Sequence, residues 1–457
     1  MNRDATRLGR WQVLTVTLMV LGYAGFYLCR SNLSVTLLMI RDDLAARGTD
    51  PNAATVRLGW VISLGTLGYA LGKFFAGGLV DLLGGRRNYL ISMAGAIACT
   101  MLFAMGGTLP FFTLVWFANR LIQSLGWPGM IKITSRWFSY SRYGTVMGVI
   151  SLSFLFGDMA ARAFMGLLID AGLGWRGVFW VAGVVLGALW LLNAALIRES
   201  PKELGLHEPE TNPANLFGAL GADPSPDAAG PLFATLARSP AFWIVCFMSV
   251  GMTFLRETFN NWTPTYLVQG VGLGKAAAAG LSGLFPFFGG VSVILAGILG
   301  DRFGRGGRAA VILVGMTLCG LALGVLGTAD FSGRSREALA LLSLVAFLLI
   351  GPYSYLAGAI SLDLGGKRGA ATACGIIDGL GYLGGTLAGA GVAKVSVTLG
   401  WQGAFHVLAV VALLTSVAAG FFLVNQLRPA ESAGAALLEI GSGPGAVAPI
   451  EERGSAR

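Results

Sequence analysis

The chain has 457 residues, of which 55% are hydrophobic and only 12% charged, whereas a soluble protein of this length would need far more polar surface. Its formal net charge of +9 comes from basic residues scattered over short loops, which argues against nucleic-acid binding. Two His, and five Cys inside apolar segments, give no metal-ligand spacing. We therefore expect an integral, multi-pass membrane protein that is not an enzyme and that uses neither a metal nor another cofactor.

Apolar segments long enough to cross a bilayer, about 20 residues each, recur along the chain. The 68 Gly fit such a bundle because small residues let membrane helices approach closely. We predict an all-α membrane protein with twelve spans, near residues 12–38, 58–82, 88–107, 109–137, 144–170, 176–198, 240–268, 274–300, 309–328, 337–362, 370–397 and 402–426.

The twelve spans divide into two halves. Residues 1–198 are predicted to form the first six-helix bundle and residues 240–428 the second. The segment 199–239 between them is rich in Pro, Ala, Asp and Glu, a composition typical of a flexible cytoplasmic linker. The tail 429–457 is poor in aromatic residues and is expected to be disordered.

Charge predicts the orientation of the spans. The basic loops 84–87, 301–308 and 367–368 fall on one side if the spans alternate, and that side is expected to be cytoplasmic. The loop 39–57 falls on the other side and carries three Arg and three Asp. Both termini are then cytoplasmic. The short loops and the Ala- and Gly-rich composition favour a bacterial inner membrane.

The two halves repeat each other. Gly174-Trp175 precedes the last span of the first half, and Gly400-Trp401 precedes the last span of the second, an offset of 226 residues. Arg30 in span 1 and Arg256 in span 7 have the same offset. Internal duplication at the scale of six spans is typical of secondary transporters, whose substrate site lies between the repeats near the midplane.

Glycine-rich loops with acidic and basic residues follow spans 2 and 8. Their Asp and Arg side chains can bridge neighbouring helix ends, so we expect a gating and structural role. The pattern resembles that of the major facilitator superfamily, although the first copy lacks the Arg after its Asp. The residues concerned are Asp81 and Arg86 in the first copy and Asp301, Arg302 and Arg305 in the second.

Arg30 and Arg256 lie deep in apolar spans, where a charge needs a partner or a watery cavity. Two guanidiniums related by the repeat can grip a dianion from both sides, because the planar fork of Arg pairs well with phosphate oxygens. In the alternative interpretation each Arg neutralises a nearby carboxylate, for which Glu257 is a candidate. Tyr23 and Tyr27 are predicted to share the helical face of Arg30.

Spans 2 and 4 add polar candidates. Lys73, one turn after Tyr69, either serves the anion in the cavity or extends toward the cytoplasmic end near Asp81. Gln123 and Trp127 lie one turn apart and can point into the cavity. Pro128 is expected to kink span 4.

Span 5 contains Ser153, Asp158 and Arg162. Asp158 and Arg162 have the i, i+4 spacing of an intrahelical ion pair. Alternatively, Asp158 binds a proton and couples transport to the proton gradient. Asp378 and Tyr382 form a similar polar ridge in span 11.

Taken together, these residues resemble the organophosphate:phosphate antiporters, which include glycerol-3-phosphate and hexose-phosphate transporters and the sugar-phosphate exchangers of the endoplasmic reticulum. The resemblance covers nearly all twelve spans. It implies a rocker-switch exchanger in which Arg30 and Arg256 bind the phosphate. It rests on Tyr23, Tyr27, Arg30, Asn32, Tyr69, Lys73, Gln123, Trp127, Pro128, Arg256, Trp262, Pro264 and 381–385, with eukaryotic features at 351–353, 363–365 and 376–379.

The family implies further cavity residues and also marks departures from its pattern. Ser153 stands where the glycerol-phosphate transporter has a His, Ser31 where a Lys follows the first Arg, and Glu257 where bacterial members have an uncharged residue. The implied cavity residues are Lys73, Tyr23, Tyr27, Tyr69, Gln123, Trp127 and Tyr382.

Three hypotheses follow. The first is a monomeric antiporter that exchanges an organophosphate for inorganic phosphate. The second is a proton-coupled carrier of organic carboxylates, with Asp158 or Asp378 as the coupling residue and Glu257 as a further candidate. The third is a sensor that has the same fold and binds organophosphate without transporting it.

Overall fold

The computed structural model describes residues 3–209, 236–302 and 306–427, which form helices and no strand. The first half contains α1 (Arg3–Leu28), α2 (Asn32–Ala46), α3 (Pro51–Leu83), α4 (Gly85–Met105), α5 (Leu109–Gln123), α6 (Gly126–Trp137), α7 (Tyr140–Asp170) and α8 (Trp175–Leu196). The second half contains α9 (Pro240–Gln269), α10 (Lys275–Leu281), α11 (Leu284–Arg302), α12 (Gly307–Thr328), α13 (Ser335–Tyr353), a π-helical turn (Leu356–Ile360), α14 (Ser361–Gly385) and α15 (Leu387–Leu427).

The twelve predicted spans are present in these helices. Ten continuous runs in the described part of the chain are long and apolar enough to cross a bilayer. One of them, Ala373–Leu427, contains two spans that meet at Gly400, whose φ of 70° is not helical. Span 4 is the remaining one and consists of α5 and α6. The predicted all-α fold is therefore confirmed.

The breaks in spans 1 and 4 lie beside candidate site residues. Span 1 breaks at residues 29–31, between α1 and α2. Span 4 breaks between Gln123 and Gly126, and Pro128 explains this break because it has no N–H to donate to the Ser124 carbonyl four residues earlier. Tyr23 and Tyr27 therefore lie on α1, whereas Arg30 lies in the break beyond its end. The three side chains still adjoin one another, since the Tyr23 and Tyr27 ring centres lie 6.1 Å apart and Arg30 Nη1 donates to Tyr27 Oη at 3.2 Å. The prediction differs from the structure only in that the helix ends before Arg30.

The connection between spans 1 and 2 is shorter than the predicted loop 39–57. Helix α2 extends to Ala46 and α3 begins at Pro51. The side chain of Asp50 accepts a hydrogen bond from the backbone N–H of Ala53 at 2.8 Å and caps α3, while Pro51 provides a favourable first helical residue. Helices continue into polar sequence here because helical backbone satisfies its own hydrogen bonds.

Contacts between helices reproduce the offset of 226. Trp175 Nε1 donates to Asp43 Oδ2 at 3.3 Å, and Trp401 Nε1 donates to Gln269 Oε1 at 3.1 Å. These two hydrogen bonds are repeat equivalents, since both residues of the second pair lie 226 positions after those of the first. Each joins the start of the last span of a half to the end of its first span.

We call this end of the bundle the distal end, and the end at which the chain starts the proximal end. Ser34 Oγ donates to the Asn260 carbonyl at 3.0 Å, and these residues also differ by 226, so their contact lies on the pseudo-two-fold axis between the halves. Lys275 Nζ pairs with Asp42 Oδ2 at 2.7 Å farther toward the distal end. The halves are thus joined across their distal ends.

The two halves also approach closely where α3 packs against α15. A Cβ atom at Gly59 would lie 2.9 Å from the Gly389 carbonyl oxygen, and one at Gly389 would lie 2.6 Å from the Ser63 backbone nitrogen. Both distances are below what real Cβ atoms tolerate. Only glycine lets these two backbones meet, as is usual in close helix crossings in membranes.

Each half has its own aromatic core, and its outer face is apolar. Phe103 stacks between Phe112 and Phe179 in the first half, with ring centres 4.6 and 4.8 Å apart, and Phe259 stacks on Phe285 at 5.1 Å in the second. Large apolar side chains remain exposed on the outside because they face lipid, for example Leu114, Val184, Leu191, Leu414 and Phe421.

Candidate functional site

Arg30 lies between the two halves beside aromatic rings. Its guanidinium carbon is 4.4 Å from the centre of the Tyr69 ring and 5.3 Å from that of Tyr27. Its Nη1 donates to Tyr27 Oη at 3.2 Å. Within the described residues, no carboxylate forms an ion pair with Arg30. Its charge is therefore supported by ring faces and a phenol oxygen, and this leaves donors free for a bound anion.

Arg256 lies in the middle of α9 in a different setting. Its Nη2 contacts Glu257 Oε1 at 3.0 Å, so the two adjacent side chains pair although their Cβ atoms point in different directions. Its guanidinium carbon lies 4.5 Å from the Tyr353 ring centre and 5.1 Å from that of Tyr382. The carboxylate partner considered from the sequence is thus present for Arg256 but not for Arg30.

Two tyrosines connect these arginines. The rings of Tyr69 in α3 and Tyr382 in α14 lie 5.0 Å apart, and both side chains are buried. Arg30 contacts the first ring and Arg256 the second. The central site is therefore an aromatic contact between the halves with one guanidinium on each side.

Lys73 crosses from the first half to the second. Its ammonium group forms an ion pair with Asp378 in α14 and lies 4.7 Å from the Tyr382 ring centre. Tyr353 Oη donates a long hydrogen bond to the other Asp378 oxygen at 3.5 Å. Of the two interpretations for Lys73, the structure favours the one in which it points into the site. Its side chain is 28% exposed, so the site remains open to solvent.

Gln123 and Trp127 border the break in span 1. Gln123 Nε2 donates to the Cys29 carbonyl at 3.2 Å and so satisfies a backbone group that the break leaves unpaired. Trp127 packs against Tyr23, with ring centres 5.4 Å apart. Ser153 is buried and donates to the Ile150 carbonyl within its own helix, and no contact among the described residues brings it to Arg30.

Asp158 and Arg162 form the predicted intrahelical ion pair, with Nε 2.9 Å from Oδ1 and both side chains buried. The pair extends beyond α7. Ser31, in the break of span 1, donates to Asp158. Arg162 donates to the Asn260 carbonyl at 2.8 Å and to Ser282 Oγ at 3.2 Å, both in the second half. A pair predicted within one helix thus joins the two halves on the distal side of the site.

Of the predicted gating residues, Arg86 is described in full. Its Nε and Nη2 donate to the carbonyls of Ile197 and Ala194, both at 2.8 Å, at the end of α8. Arg86 therefore bridges helix ends as expected and satisfies carbonyls that a helix terminus leaves free. Outside the described part of the chain lie the side chains of Asp81, Asp301 and Arg302, all of Arg305, and the segments 210–235 and 428–457.

Two side chains at the site were not predicted from the sequence. Tyr353 contacts both Arg256 and Asp378. Arg120 in α5 is only 5% exposed, and its guanidinium carbon lies 4.8 Å from the Tyr69 ring centre. The signal for Arg120 was present in the sequence, since it is a charged residue inside an apolar span, the criterion that singled out Arg30.

Comparison with known proteins identifies the superfamily that has this architecture. The profile of the Major Facilitator Superfamily matches residues 19–389. The chain belongs to this superfamily. In fold it is similar to a bacterial homologue of the human lysosomal transporter Spinster in an inward-facing, unoccupied conformation, with a TM-score of 0.70 at 13% identity, covering 92% of this chain and 99% of the other.

The sequence relatives indicate which family within the superfamily the chain resembles. A "Probable hexose phosphate transport protein" of Chlamydia muridarum is 28% identical over 430 residues, covering 90% of each chain. The glycerol-3-phosphate transporter of Bacillus subtilis is 25% identical over 398 residues, covering 85% of this chain and 87% of the relative. The membrane sensor protein UhpC of Escherichia coli is 24% identical, covering 90% and 92%. The predicted resemblance to the organophosphate:phosphate antiporter family is thereby confirmed.

Proposed function

We propose that the protein is a secondary transporter that exchanges an organophosphate, of the sugar phosphate or glycerol phosphate type, for inorganic phosphate. The observation that carries this proposal is the pair Arg30 and Arg256, one from each half, beside the contacting rings of Tyr69 and Tyr382. Guanidiniums suit phosphate because their paired N–H groups match its oxygens. The names of the relatives support an organophosphate as the partner of this site.

In the proposed mechanism, phosphate oxygens bind Arg30 directly and compete with Glu257 for Arg256. Lys73 contributes a third donor and releases Asp378 as the substrate arrives. Breaking this ion pair between the halves couples binding to their relative movement. The remaining cavity residues proposed to surround the substrate are Tyr23, Tyr27, Tyr69, Gln123, Trp127, Ser153 and Tyr382.

Exchange follows from the charge of the empty site. Without an anion, closing the halves around the cavity would bury cations that lack partners, which is costly in a membrane. Phosphate on the return leg neutralises them, so loaded carriers reorient more readily than empty ones. Asp158, Asp378 and Glu257 each already have a basic partner, which favours exchange over proton coupling.

We further propose that the proximal end faces the cytoplasm of a bacterium and that the protein works as a monomer in the inner membrane. The contacts between the halves from Ser34, Arg162 and Lys275 lie toward the distal end. In this arrangement substrate reaches Arg30 and Arg256 from the cytoplasmic side. Asp81, Arg86, Asp301, Arg302 and Arg305 are proposed to stabilise the proximal helix ends during the movement.

Counterflow in proteoliposomes tests the function. Vesicles containing the purified protein are loaded with unlabelled phosphate and given labelled phosphate outside, with and without an imposed proton gradient. We expect rapid uptake of the labelled phosphate. This uptake should need internal phosphate, should not respond to the proton gradient and should be inhibited by phosphate esters. Identical vesicles without protein give the background rate.

Two results would count against the proposal. Uptake of an organic carboxylate driven by the proton gradient, without phosphate counterflow, would identify the proton-coupled carrier. Saturable binding of organophosphate to the purified protein without any counterflow would identify a sensor, the role that the name of the E. coli relative describes for that protein.

A further inference from the structure

Arg120, in α5, contacts the same Tyr69 ring at the central site as Arg30 does. The two guanidinium carbons lie 4.8 and 4.4 Å from the centre of that one ring. Two like charges beside one aromatic ring repel each other, and a nearby anion would offset this repulsion. Glu257 is the acidic side chain within electrostatic range of both, and it is already paired with Arg256.

One hydrogen-bonding group of Arg120 has no partner in the described part of the protein. Its Nη1 is fully buried and has no hydrogen-bond partner, and among the described residues no ion pair involves its guanidinium. Its position in the last turn of α5 and the Tyr69 ring face both favour a positive charge, but neither offers a hydrogen-bond acceptor in the plane of the guanidinium. A buried donor without a partner is costly, and a bound ligand would remove that cost.

A second buried donor at the site has the same property. Arg256 Nε is also buried without a hydrogen-bond partner. The unsatisfied donors therefore come from both halves of the protein. They differ from Arg162, whose guanidinium nitrogens contact Asp158, Ser282 and Asn260 in the same structure.

The site as a whole carries surplus positive charge. Its four described cations are Arg30, Lys73, Arg120 and Arg256, and its two described carboxylates are Glu257 and Asp378. Two positive charges thus remain without a carboxylate. A ligand with two negative charges at its phosphoryl group would balance them.

Resting on the proposed function, we propose that Arg120 is a third substrate-binding guanidinium and that it makes the site select the dianionic form of a phosphoryl group. Arg30 and Arg256 can grip one phosphate between the halves. Arg120 adds the charge that distinguishes a dianion from a monoanion and donates from buried Nη1 to a third phosphoryl oxygen. Chemically, the site is expected to prefer fully ionised phosphate monoesters and inorganic phosphate to phosphodiesters and sulfate esters.

Binding of inorganic phosphate to the purified, full-length protein tests this inference. Between about pH 5.5 and about pH 8, inorganic phosphate changes from mostly monoanion to mostly dianion. The wild type is expected to bind it several-fold more tightly at the higher pH. Arg120→Gln is expected to bind about tenfold more weakly at the higher pH, since one charge-assisted hydrogen bond is lost, and to show a flatter pH dependence.

Arg176→Gln is the matched control. Arg176 also stacks on an aromatic ring, 4.1 Å from the Trp175 centre, but lies at the distal end away from the site. This variant should retain the affinity and pH dependence of the wild type. If Arg120→Gln does not fold, as judged by size-exclusion chromatography, the Arg120→Lys variant tests the role of Arg120 instead. Lys keeps the charge without the fork, so it should keep the preference for the dianion and bind more weakly.

The outcomes separate this inference from the function on which it rests. Wild-type affinity and pH dependence in Arg120→Gln, or wild-type affinity in Arg120→Lys where the Gln variant does not fold, would overturn the role of Arg120 and leave the exchanger proposal standing. Failure of the wild type to bind inorganic phosphate at either pH would instead contradict the exchanger itself.

Discussion

At the scale of single residues, the two repeat-related arginines have different surroundings. Arg256 is paired with Glu257, whereas Arg30 rests on Tyr69 and Tyr27 and has no carboxylate partner in the described part of the protein. The internal repeat therefore places two cations at equivalent positions, but it does not make them equally available to a bound anion. Arg30 is the side that an incoming anion can bind without displacing another group.

This difference gives a prediction for Arg30→Lys. Lysine keeps the charge but has no planar fork, and it loses the favourable stacking of a guanidinium on Tyr69. We expect phosphate counterflow to fall about tenfold or more, mainly through weaker binding, as expected for the loss of a paired, charge-assisted hydrogen bond. Initial rates over a range of phosphate concentrations, in proteoliposomes of matched protein content, provide the measurement.

Arg41→Lys is the control for that substitution, because Arg41 pairs with Asp42 at the distal end rather than in the site. It should retain the wild-type rate. If Arg30→Lys matched both the wild type and this control in rate and in affinity, paired binding by Arg30 would not be the mechanism.

At the scale of helices, breaks and close crossings set the geometry of the site. The interruption at residues 29–31 places Arg30 beyond the end of α1, and Gln123 at the end of α5 donates to the freed Cys29 carbonyl. The crossing of α3 and α15 depends on Gly59 and Gly389. This crossing holds the halves together in the conformation observed.

A side chain at this crossing should separate the halves. In Gly389→Val the new atoms would meet the Ser63 backbone, so the observed conformation is destabilised relative to one that is open at the distal end. We expect slower exchange and faster alkylation of a cysteine placed at Ser34, which lies on the pseudo-two-fold axis. A membrane-impermeant maleimide in a background without the native cysteines measures the alkylation rate.

Gly391→Val on the same helix is the control, because nothing lies within 4 Å of a Cβ atom at that position. It should behave like the parent protein. Equal alkylation rates for the two valine variants would mean that the Gly389 crossing does not hold the distal end closed.

At the scale of the whole molecule, the halves are two bodies that meet at a central polar site and are joined distally. Lys73 and Asp378 pair across the centre, and Lys275 and Asp42 pair across the distal end. Alternating access requires the second contact to open while the substrate crosses. A covalent link there should therefore stop transport without touching the site.

The double variant Asp42→Cys/Lys275→Cys, joined by a short thiol-cleavable bismaleimide linker, tests this requirement. We expect the link to abolish phosphate counterflow, and cleavage of the linker to restore it. Asp43→Cys/Arg47→Cys is the matched control, because this ion pair, 3.1 Å long, lies entirely within the first half. Undiminished counterflow in the linked double variant would exclude a rocking movement of the two halves.

The sequence by itself determined the membrane character, the twelve spans and the internal repeat. These follow from local hydropathy and from an offset between residues, neither of which needs the fold. It also identified Arg30, Arg256 and the Asp158–Arg162 pair, because a charge in an apolar span or an i, i+4 spacing can be recognised along one helix.

Only the tertiary structure decided which charges meet. Lys73 and Asp378 lie 305 residues apart, and Arg162 reaches Asn260 in the other half, so no spacing along the chain predicts either contact. The structure also revealed that Arg30 lies in a helix break and that Arg120 shares its aromatic neighbour. Electrostatic energy depends on distance in space, and in this protein the packing of two halves around one site sets those distances.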